Sequence, residues 1–469
     1  MPGVITGGAL CKIAMLGNHV PRQCGIATFT TDLSAAITTE FPALDCFVVA
    51  INDAGKRYTY PTRVRFEVAE SEVASYRRAA DFLNVNTVDV MCVQHEYGIF
   101  GGKAGSHVLD LLRELRMPLV TTLHTILGKP DPLQRRAMDE ITQLSERLVV
   151  MSAHGATLLH EVHGVPAHKI DLIPHGIPSV PDAPGSKDQL GVQGKCVLLT
   201  FGLLSPDQGI EHVIDALPSI LARYPETVYI VLGATHPHIK ERHGETYRLM
   251  LEHRAQRLGV DASIIFHNRF VSQDELSEFL AAADIYITPS LQPDQSTSGT
   301  LAYAVGAGKA VISTPYVYAR ELLAEGRGIL VPWRDPQAIA REVVDLLGDE
   351  AKRRALWALG TVVGRSSDPG KHSLGGNLFH GALPAVATFT SPRAWAFTLL
   401  GIDEYLRAFQ GDSNVHAMRQ TLAERLFDLL RRTSGHEWPW FEDRVTYCNA
   451  RLSQALIVSG AWMEHAEMT

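Results

Sequence analysis

The sequence predicts an α/β protein with two doubly wound domains in tandem, followed by an all-α C-terminal region. The first observation is an alternation of short apolar runs with helical stretches, which begins at Lys12. The second is the segment 176–185, where three prolines and two glycines interrupt that alternation before it restarts at Cys196. The third is a concentration of tryptophan and of helical periodicity after about Gly348. We therefore expect domains at 1–180, 190–348 and 352–469.

In the first domain the apolar runs have the length and continuity of strands in a parallel sheet that is covered on both faces. The predicted strands are 12–17, 46–51, 88–94, 119–123, 148–151 and 170–173. Helical patterns at 26–39, 105–115 and 133–144 lie between them.

The second domain repeats this organisation after the proline-rich linker. Its predicted strands are 196–201, 227–232, 263–267, 284–288, 310–313 and 328–331, with helices at 209–223 and 336–347. Two such domains place a cleft between the carboxyl ends of both sheets, where ligands of these folds bind.

Composition and charge describe an ordinary globular protein of 469 residues, which is enough for two or three cores. The net charge of −8 gives no electrostatic reason to expect a nucleic acid partner. Six scattered cysteines without paired ligand spacing are typical of reduced thiols. The sequence shows no secretory leader and no apolar run long enough to span a bilayer. We therefore expect a cytoplasmic protein with no integral membrane segment.

The segment 295–314 is the strongest local indication of a ligand site. It follows the apolar run 284–289 and places Ser298, Gly299 and Thr300 at the start of a short helix. A helix N-terminus offers unpaired N–H groups and the positive end of a dipole, and glycine permits close backbone approach. A diphosphate is the natural ligand. An ordinary strand-to-helix turn explains the same residues, and the segment alone leaves both interpretations open.

Three further motifs accompany this loop along the chain. Pro21–Phe29 is a glycine-containing first turn, 170–177 ends the first domain, and 200–209 opens the second. Together, and in this order, the four motifs make residues 12–347 resemble a glycosyltransferase of the GT-B fold, with two Rossmann-like domains, in the large retaining group called family four.

The resemblance implies a hexosyltransferase that takes its sugar from a nucleotide-sugar donor and passes it to a carbohydrate or other hydroxyl acceptor with retention of configuration. The nucleotide sugar is then a co-substrate, and no cofactor is implied. It also implies metal independence, because helix dipoles, backbone amides and basic side chains neutralise the leaving diphosphate. The sequence shows no evident metal-binding carboxylate pair, consistent with that scheme.

By position, the resemblance gives His124 and Gln295 catalytic roles at the donor sugar, and it places His95 and Glu96 at the acceptor. The donor-binding candidates lie in the glycine-rich turns, after the strand 263–267 and in the segment 295–314; they are Gly25, Gly202, Gln208, Arg269, Ser298, Gly299, Thr300 and Tyr303. From the residues alone, His124 fits equally a packed strand-end histidine, and the His95–Glu96 pair fits a capped loop. Arg269 fits a solvated surface charge, and Gly25 a simple turn.

Four positions depart from the family pattern. Leu203 stands where an Arg is usual, and Gln208 stands where a Lys is usual. Gln295 and Tyr303 replace the usual pair of Glu residues. The Gln295 amide cannot act as a charged acceptor, and the Tyr303 hydroxyl can bind only one ribose hydroxyl. Each missing cation would contribute roughly 1.5–3 kcal/mol to diphosphate binding. We therefore expect the cleft to have the geometry that binds a donor, and the affinity for the donor stays open.

The C-terminal region contains five of the six tryptophans, at positions 357, 395, 438, 440 and 462. Amphipathic helices are predicted at 393–409, 415–431 and 446–462. The stretches 393–397 and 438–443 resemble the helical toroid found behind a subset of family-four enzymes. Because the region is shorter than such toroids, we expect an incomplete, open arc that exposes apolar surface and favours self-association.

Two other classes of protein remain open at this point. A non-catalytic GT-B protein that binds a carbohydrate or a partner is favoured by Leu203 and Gln208, and opposed by the intact glycine-rich loops and His124. A related epimerase or phosphorylase is the other; a phosphorylase needs a lysine placed for pyridoxal phosphate, for which the sequence offers no convincing context. The donor nucleotide stays open among GDP, UDP and ADP.

Overall fold

The computed structural model describes residues 10–178, 186–324, 327–347, 369–388, 392–434, 441 and 449–468. Within these ranges the predicted fold class is confirmed. The chain forms two parallel-sheet α/β units followed by a helical region.

The first unit is a seven-stranded parallel sheet in the order β3-β2-β1-β4-β5-β6-β7. Its strands are β1 (Lys12–Gly17), β2 (Asp45–Asn52), β3 (Val64–Ala69), β4 (Val90–His95), β5 (Leu119–Leu123), β6 (Arg147–Val150) and β7 (Ile170–Leu172). Its helices are α1 (Gly25–Glu40), α2 (Val73–Val85), α3 (Val108–Leu112), α4 (Pro132–Leu144) and α5 (Ala153–His163). The strand order changes direction between β1 and β4, which opens a crevice at their carboxyl ends.

The second unit is a six-stranded parallel sheet in the order β10-β9-β8-β11-β12-β13. Its strands are β8 (Cys196–Phe201), β9 (Thr227–Leu232), β10 (Ile264–His267), β11 (Ile285–Thr288), β12 (Ala310–Ser313) and β13 (Ile329–Leu330). Its helices are α6 (Ser186–Gln189), α7 (Ile210–Leu221), α8 (Pro237–His243), α9 (Thr246–Leu258), α10 (Gln273–Ala282), α11 (Gly299–Gly306), α12 (Val317–Leu322) and α13 (336–347). Here the order changes direction between β8 and β11, so the loops after both strands border a second crevice.

Both sheets are buried on their two faces, as continuous apolar strands predict. In β1 and β2 every residue from Ala14 to Leu16 and from Phe47 to Ile51 is at most 1% exposed. In the second unit all six residues of β9 are buried. Helix starts are encoded locally, since Asp131 and Ser272 form capping boxes with Gln134 and Glu275.

In the described part of the helical region, the α-helices are α14 (Pro369–Ala382), α15 (Pro392–Ala408), α16 (Ser413–Thr433) and α17 (Asn449–Trp462). Leu399, Leu406, Leu422, Leu426 and Leu452 are among the residues that form its common apolar core. The predicted helices 393–409 and 415–431 correspond to α15 and α16, and 446–462 corresponds to α17 where it is described. The positions Trp357, Trp438 and Trp440 lie outside the described residues.

One predicted helix, 105–115, is wrong in extent. The structure has a 3₁₀ turn at Lys103–Gly105 and then only the short α3. Gly102 and Gly105 adopt φ values of 81° and 70°, which break the helical path before His107.

Across the described residues, no helix combines the length and apolarity that a membrane crossing requires.

Candidate active site

His124 lies at the carboxyl end of β5, where its backbone N–H donates to His95 O at 3.0 Å and prolongs the β4–β5 ladder. Its side chain is 9% exposed, and its Nε2 lies 3.0 Å from Gln94 Oε1. Burial, with His175 and His95 nearby, lowers the pKa of His124 to about 3. The ring is therefore neutral at physiological pH, donates from Nε2 to Gln94, and keeps Nδ1 as its acceptor.

Phe29 on α1 connects His124 to the second unit. Its ring meets His124 edge-on at a centroid distance of 4.8 Å and meets His175 at 5.0 Å. His175 Nδ1 donates to Gly176 O at 2.8 Å. A Cβ on Gly299 would lie 3.1 Å from His175 Nε2. The structure thus joins His124 to the start of α11 by a short row of contacts across the cleft.

The start of α11 offers backbone donors to this cleft. Ser298 caps the helix by accepting from Leu301 N at 3.3 Å, and its Oγ lies 3.2 Å from Thr300 Oγ1. The N–H of Ala302 donates to Ser298 O at 3.0 Å. The amides of Gly299 and Thr300 are then the first-turn donors that a ligand can use, at the positive end of the helix dipole.

Gly202 and Gln208 lie beside the same helix start. Gly202 has φ 135° and directly follows β8. The Gln208 amide nitrogen would lie 3.1 Å, and Thr300 Cγ2 3.4 Å, from a Cβ built on Gly202. Gln208 Oε1 is buried and has no hydrogen-bond partner among the described residues. Leu203, next to Gly202, is half-buried. Leu203 and Gln208 occupy the two positions that usually hold cations in the resembling family, and both side chains are neutral.

Gln295 and Tyr303 both use their polar groups within the protein. Gln295 Oε1 accepts from Ser290 Oγ at 3.1 Å, and its Nε2 donates to Thr297 O at 3.1 Å, which ties together the loop between β11 and α11. The Tyr303 hydroxyl donates to Asp32 Oδ2 on α1 at 2.7 Å. Burial raises the pKa of the Asp32 carboxyl, and the Tyr303 hydrogen bond opposes that shift. Tyr303 and Asp32 therefore connect the two α/β units.

The two acceptor candidates have different environments. His95 is fully buried, with its ring stacked on Phe100 at 6.0 Å and both ring nitrogens unpartnered among the described residues. Burial lowers its pKa to about 4. Glu96 accepts from Thr125 Oγ1 at 2.5 Å, next to His124, and burial raises the pKa of its carboxyl. Of the pair, Glu96 is the half-buried side chain that borders the crevice.

The remaining donor candidates are the glycine of the first turn and a cation. A Cβ on Gly25 would meet no atom within 4 Å, so packing alone does not require a glycine at the start of α1. Arg269 is 51% exposed and pairs with Glu275 at 2.7 Å. Arg22, beside Gly25, makes a bidentate pair with Asp53.

Sequence reasoning missed Phe29, Asp32 and His175 as site residues. The spacing of Gly25, Phe29 and Asp32 is i, i+4 and i+7, which places them on one face of α1 and could have identified that face. His175 stood within the motif 170–177, which indicated only the end of the first domain. Within the described ranges, no three His, Cys, Asp or Glu side chains gather as a potential metal site.

Two family models match the chain. Residues 35–179 match the Glycosyltransferase Family 4 model, and residues 195–349 match the model described as Glycosyl transferases group 1. The second match spans the strands of the second sheet, and the first begins within α1 and covers β2 to β7 of the first sheet.

Curated relatives agree with these matches. The chain is 30% identical over 290 residues to D-inositol 3-phosphate glycosyltransferase of Corynebacterium efficiens, covering 55% of this chain and 63% of the relative. It is 27% identical over 259 residues to D-inositol 3-phosphate glycosyltransferase 2 of Catenulispora acidiphila, covering 49% and 57%. The chain thus spans about three fifths of the length of these relatives.

Solved structures show the same fold. The crystal structure of Anabaena HepE in complex with UDP superposes with a TM-score of 0.56 at 17% identity, covering 81% of this chain and all of that chain. At this identity the likeness shows the fold alone.

Proposed function

We propose that this chain, which carries the two domains of a family-four glycosyltransferase in a GT-B fold, transfers a hexose from a nucleotide-sugar donor to a hydroxyl acceptor with retention of configuration. The observation that carries the proposal is the row from His124 through Phe29 and His175 to Gly299. It brings a neutral histidine and the first-turn amides of α11 into one cleft between two parallel sheets. The glycosyltransferase names of the relatives support the transfer reaction, and the nucleotide-sugar donor rests on the family resemblance.

The diphosphate is proposed to lie at the start of α11, against the amides of Gly299 and Thr300. Gly202 faces the same point, and Gln208 stands beside it with an unpartnered amide oxygen. As the sugar–phosphate bond breaks, negative charge grows on the diphosphate, and preorganised N–H groups stabilise that charge without reorganising. Because Gln208 and Leu203 carry no charge, we expect weaker diphosphate binding than in relatives with cations there.

The sugar is proposed to lie between this helix start and His124. Since Nε2 of His124 is committed to Gln94, Nδ1 is the atom that can accept a hydrogen bond from a sugar hydroxyl. The ring stays neutral, so it orients the sugar rather than shuttling a proton. Gln295 fixes the loop that holds α11, so we assign it a positioning role. Glu96 is the proposed acceptor contact, and His95 supports it from the sheet interior.

Three further expectations remain proposals. Metal independence rests on the family resemblance, and a cytoplasmic location rests on the sequence. Self-association through the helical region is supported by exposed apolar side chains there, including Leu378, Ile457 and Trp462, which are 43–51% exposed. Sedimentation velocity over a concentration series would reveal such association, and a concentration-independent monomer would contradict it.

Transfer and donor hydrolysis can be measured with GDP-, UDP- and ADP-hexoses in the presence and absence of EDTA, with the product anomer assigned by proton NMR. We expect one donor class to react, with retention, and with no effect of EDTA. An inverted product would contradict retention, and inhibition by EDTA would contradict metal independence.

The second candidate is a non-catalytic GT-B protein that binds a carbohydrate or a partner. It is favoured by the neutral Leu203 and Gln208 and by the pairing of Arg22 and Arg269 with carboxylates. In that case a nucleotide sugar would bind without turnover, or not at all, while a saccharide would still bind in the cleft. Titration with donors and with neutral oligosaccharides distinguishes the two candidates.

A further inference from the structure

The helical region contains a cavity of about 450 Å³ that opens to solvent. It is lined by Trp395 on α15 and by Arg425, Asp428, Arg431 and Arg432 on α16. None of these residues belongs to the cleft described above.

The cavity concentrates positive charge on a chain whose net charge is −8. Its lining includes three arginines and one aspartate. Arg431 and Arg432 lie in the last turn of α16, where basic side chains complement the helix dipole. Arg425 lies about two turns earlier, so the dipole does not account for it, and it has no hydrogen-bond or ion-pair partner among the described residues.

Two of the arginines are positioned by neighbouring groups. The Arg431 guanidinium lies 5.7 Å from the centre of the Phe427 ring, and Arg432 Nε donates to Asp428 O at 3.2 Å. Positioned side chains lose less conformational entropy when they bind a ligand than mobile ones do.

The lining residues suit a sugar that carries negative charge. An indole such as that of Trp395 offers an apolar face to the C–H groups of a sugar ring. Arginine forks bind carboxylate or phosphate groups in a bidentate manner, and the Asp428 carboxylate can accept bonds from hydroxyl groups.

We propose that this cavity binds an anionic saccharide, through a carboxylate or phosphate group held by Arg425 and its neighbours. The site goes beyond the proposed transfer reaction and does not depend on it. A concave site with a half-buried indole fits a sugar ring better than a flat membrane surface, where aromatic anchors project outward.

The full chain can be titrated calorimetrically with trigalacturonate, glucose 6-phosphate and neutral maltotriose. We expect one of the anionic probes to bind more tightly than maltotriose, with an affinity that falls as salt is added. Arg425→Gln should weaken that binding about tenfold or more, because a charge-assisted hydrogen bond is lost. Arg425→Lys, which keeps the charge but not the fork, should weaken it less.

Arg257→Gln is the matched control, because it removes an exposed arginine from the last turn of α9 in the second α/β unit. The proposal is wrong if neither anionic probe binds, if maltotriose binds equally well, or if the control weakens binding as much as Arg425→Gln. Cosedimentation with phosphatidylglycerol vesicles that is lost in Arg425→Gln, without saccharide binding, would assign the cavity to a membrane surface instead. Circular dichroism checks that each variant is folded.

Discussion

Gln208→Lys tests whether the diphosphate lies where the structure allows it. The side chain of Gln208 reaches the point beside Gly202 and Thr300, and its buried Oε1 has no partner among the described residues. An unsatisfied buried acceptor destabilises the folded protein by about 1–3 kcal/mol, so its removal is stabilising. The new ammonium must be desolvated, which is destabilising. These two effects oppose each other in the free protein, so we expect little net change in its stability.

In the nucleotide complex the new ammonium faces a diphosphate. A charged hydrogen bond of this kind contributes about 1.5–3 kcal/mol, which corresponds to a Kd about ten- to hundredfold lower. Isothermal titration with GDP and UDP measures the change directly. Because the gain is electrostatic, it should shrink as the salt concentration rises.

Gln256→Lys is the matched control for Gln208→Lys, since it adds the same charge on the exposed face of α9. We expect no tightening in this variant. Unchanged affinity of Gln208→Lys for every nucleotide would show that the phosphates lie elsewhere or that the cleft does not bind donors. Equal tightening in both variants would show a general effect of net charge.

Three further substitutions test the site. His124→Ala should lower kcat for transfer by about two orders of magnitude. Because burial keeps the wild-type ring neutral, with a pKa of about 3, His124 should add no inflection to the pH dependence of the wild-type rate between pH 5 and 8. Tyr303→Phe should destabilise the protein by about 1–3 kcal/mol in urea unfolding, and a double-mutant cycle with Asp32→Asn should be non-additive, whereas additive effects would refute the contact. Burial raises the pKa of Glu96 above its ordinary 4.5, so the folded protein keeps this proton to a higher pH than the unfolded chain does. The contribution of Glu96 to the free energy of unfolding therefore falls as the pH rises from 4.5 through the folded pKa. Glu96→Gln should therefore gain stability relative to wild type at pH 7 compared with pH 4, and a pH-independent difference would contradict the shift.

The strands that the sequence predicted have continuous apolar runs, and the one described strand that it missed, β3, has none. β3 has the sequence Val-Arg-Phe-Glu-Val-Ala and lies at the edge of the first sheet, where alternating charges limit edge-to-edge association. A charged edge strand therefore does not show the pattern of a buried parallel strand. The helix α3 was overextended because the positive φ of Gly102 and Gly105 depends on the loop's tertiary setting.

The candidate site could be predicted only where one motif contains the whole feature. The start of α11 is such a case, because Ser298 caps the helix that Gly299 opens. The bond between Tyr303 and Asp32 joins residues 271 positions apart, so no local pattern contains it. His95 is deeply buried, with the rings of Tyr97 and Phe100 from its own segment packed against it, and this packing depends on how the loop after β4 folds back.

Titration of wild type and Gly299→Val with GDP, UDP and ADP tests most directly whether a nucleoside diphosphate binds at the start of α11. A valine side chain would begin 3.1 Å from His175 Nε2 and would fill the space in which the phosphates must approach the helix. We predict that at least one nucleotide binds the wild-type protein and that Gly299→Val, folded by circular dichroism, loses this binding. Binding of the same nucleotide to both proteins with equal affinity, or binding of none to the wild type, would contradict a diphosphate site at this helix start.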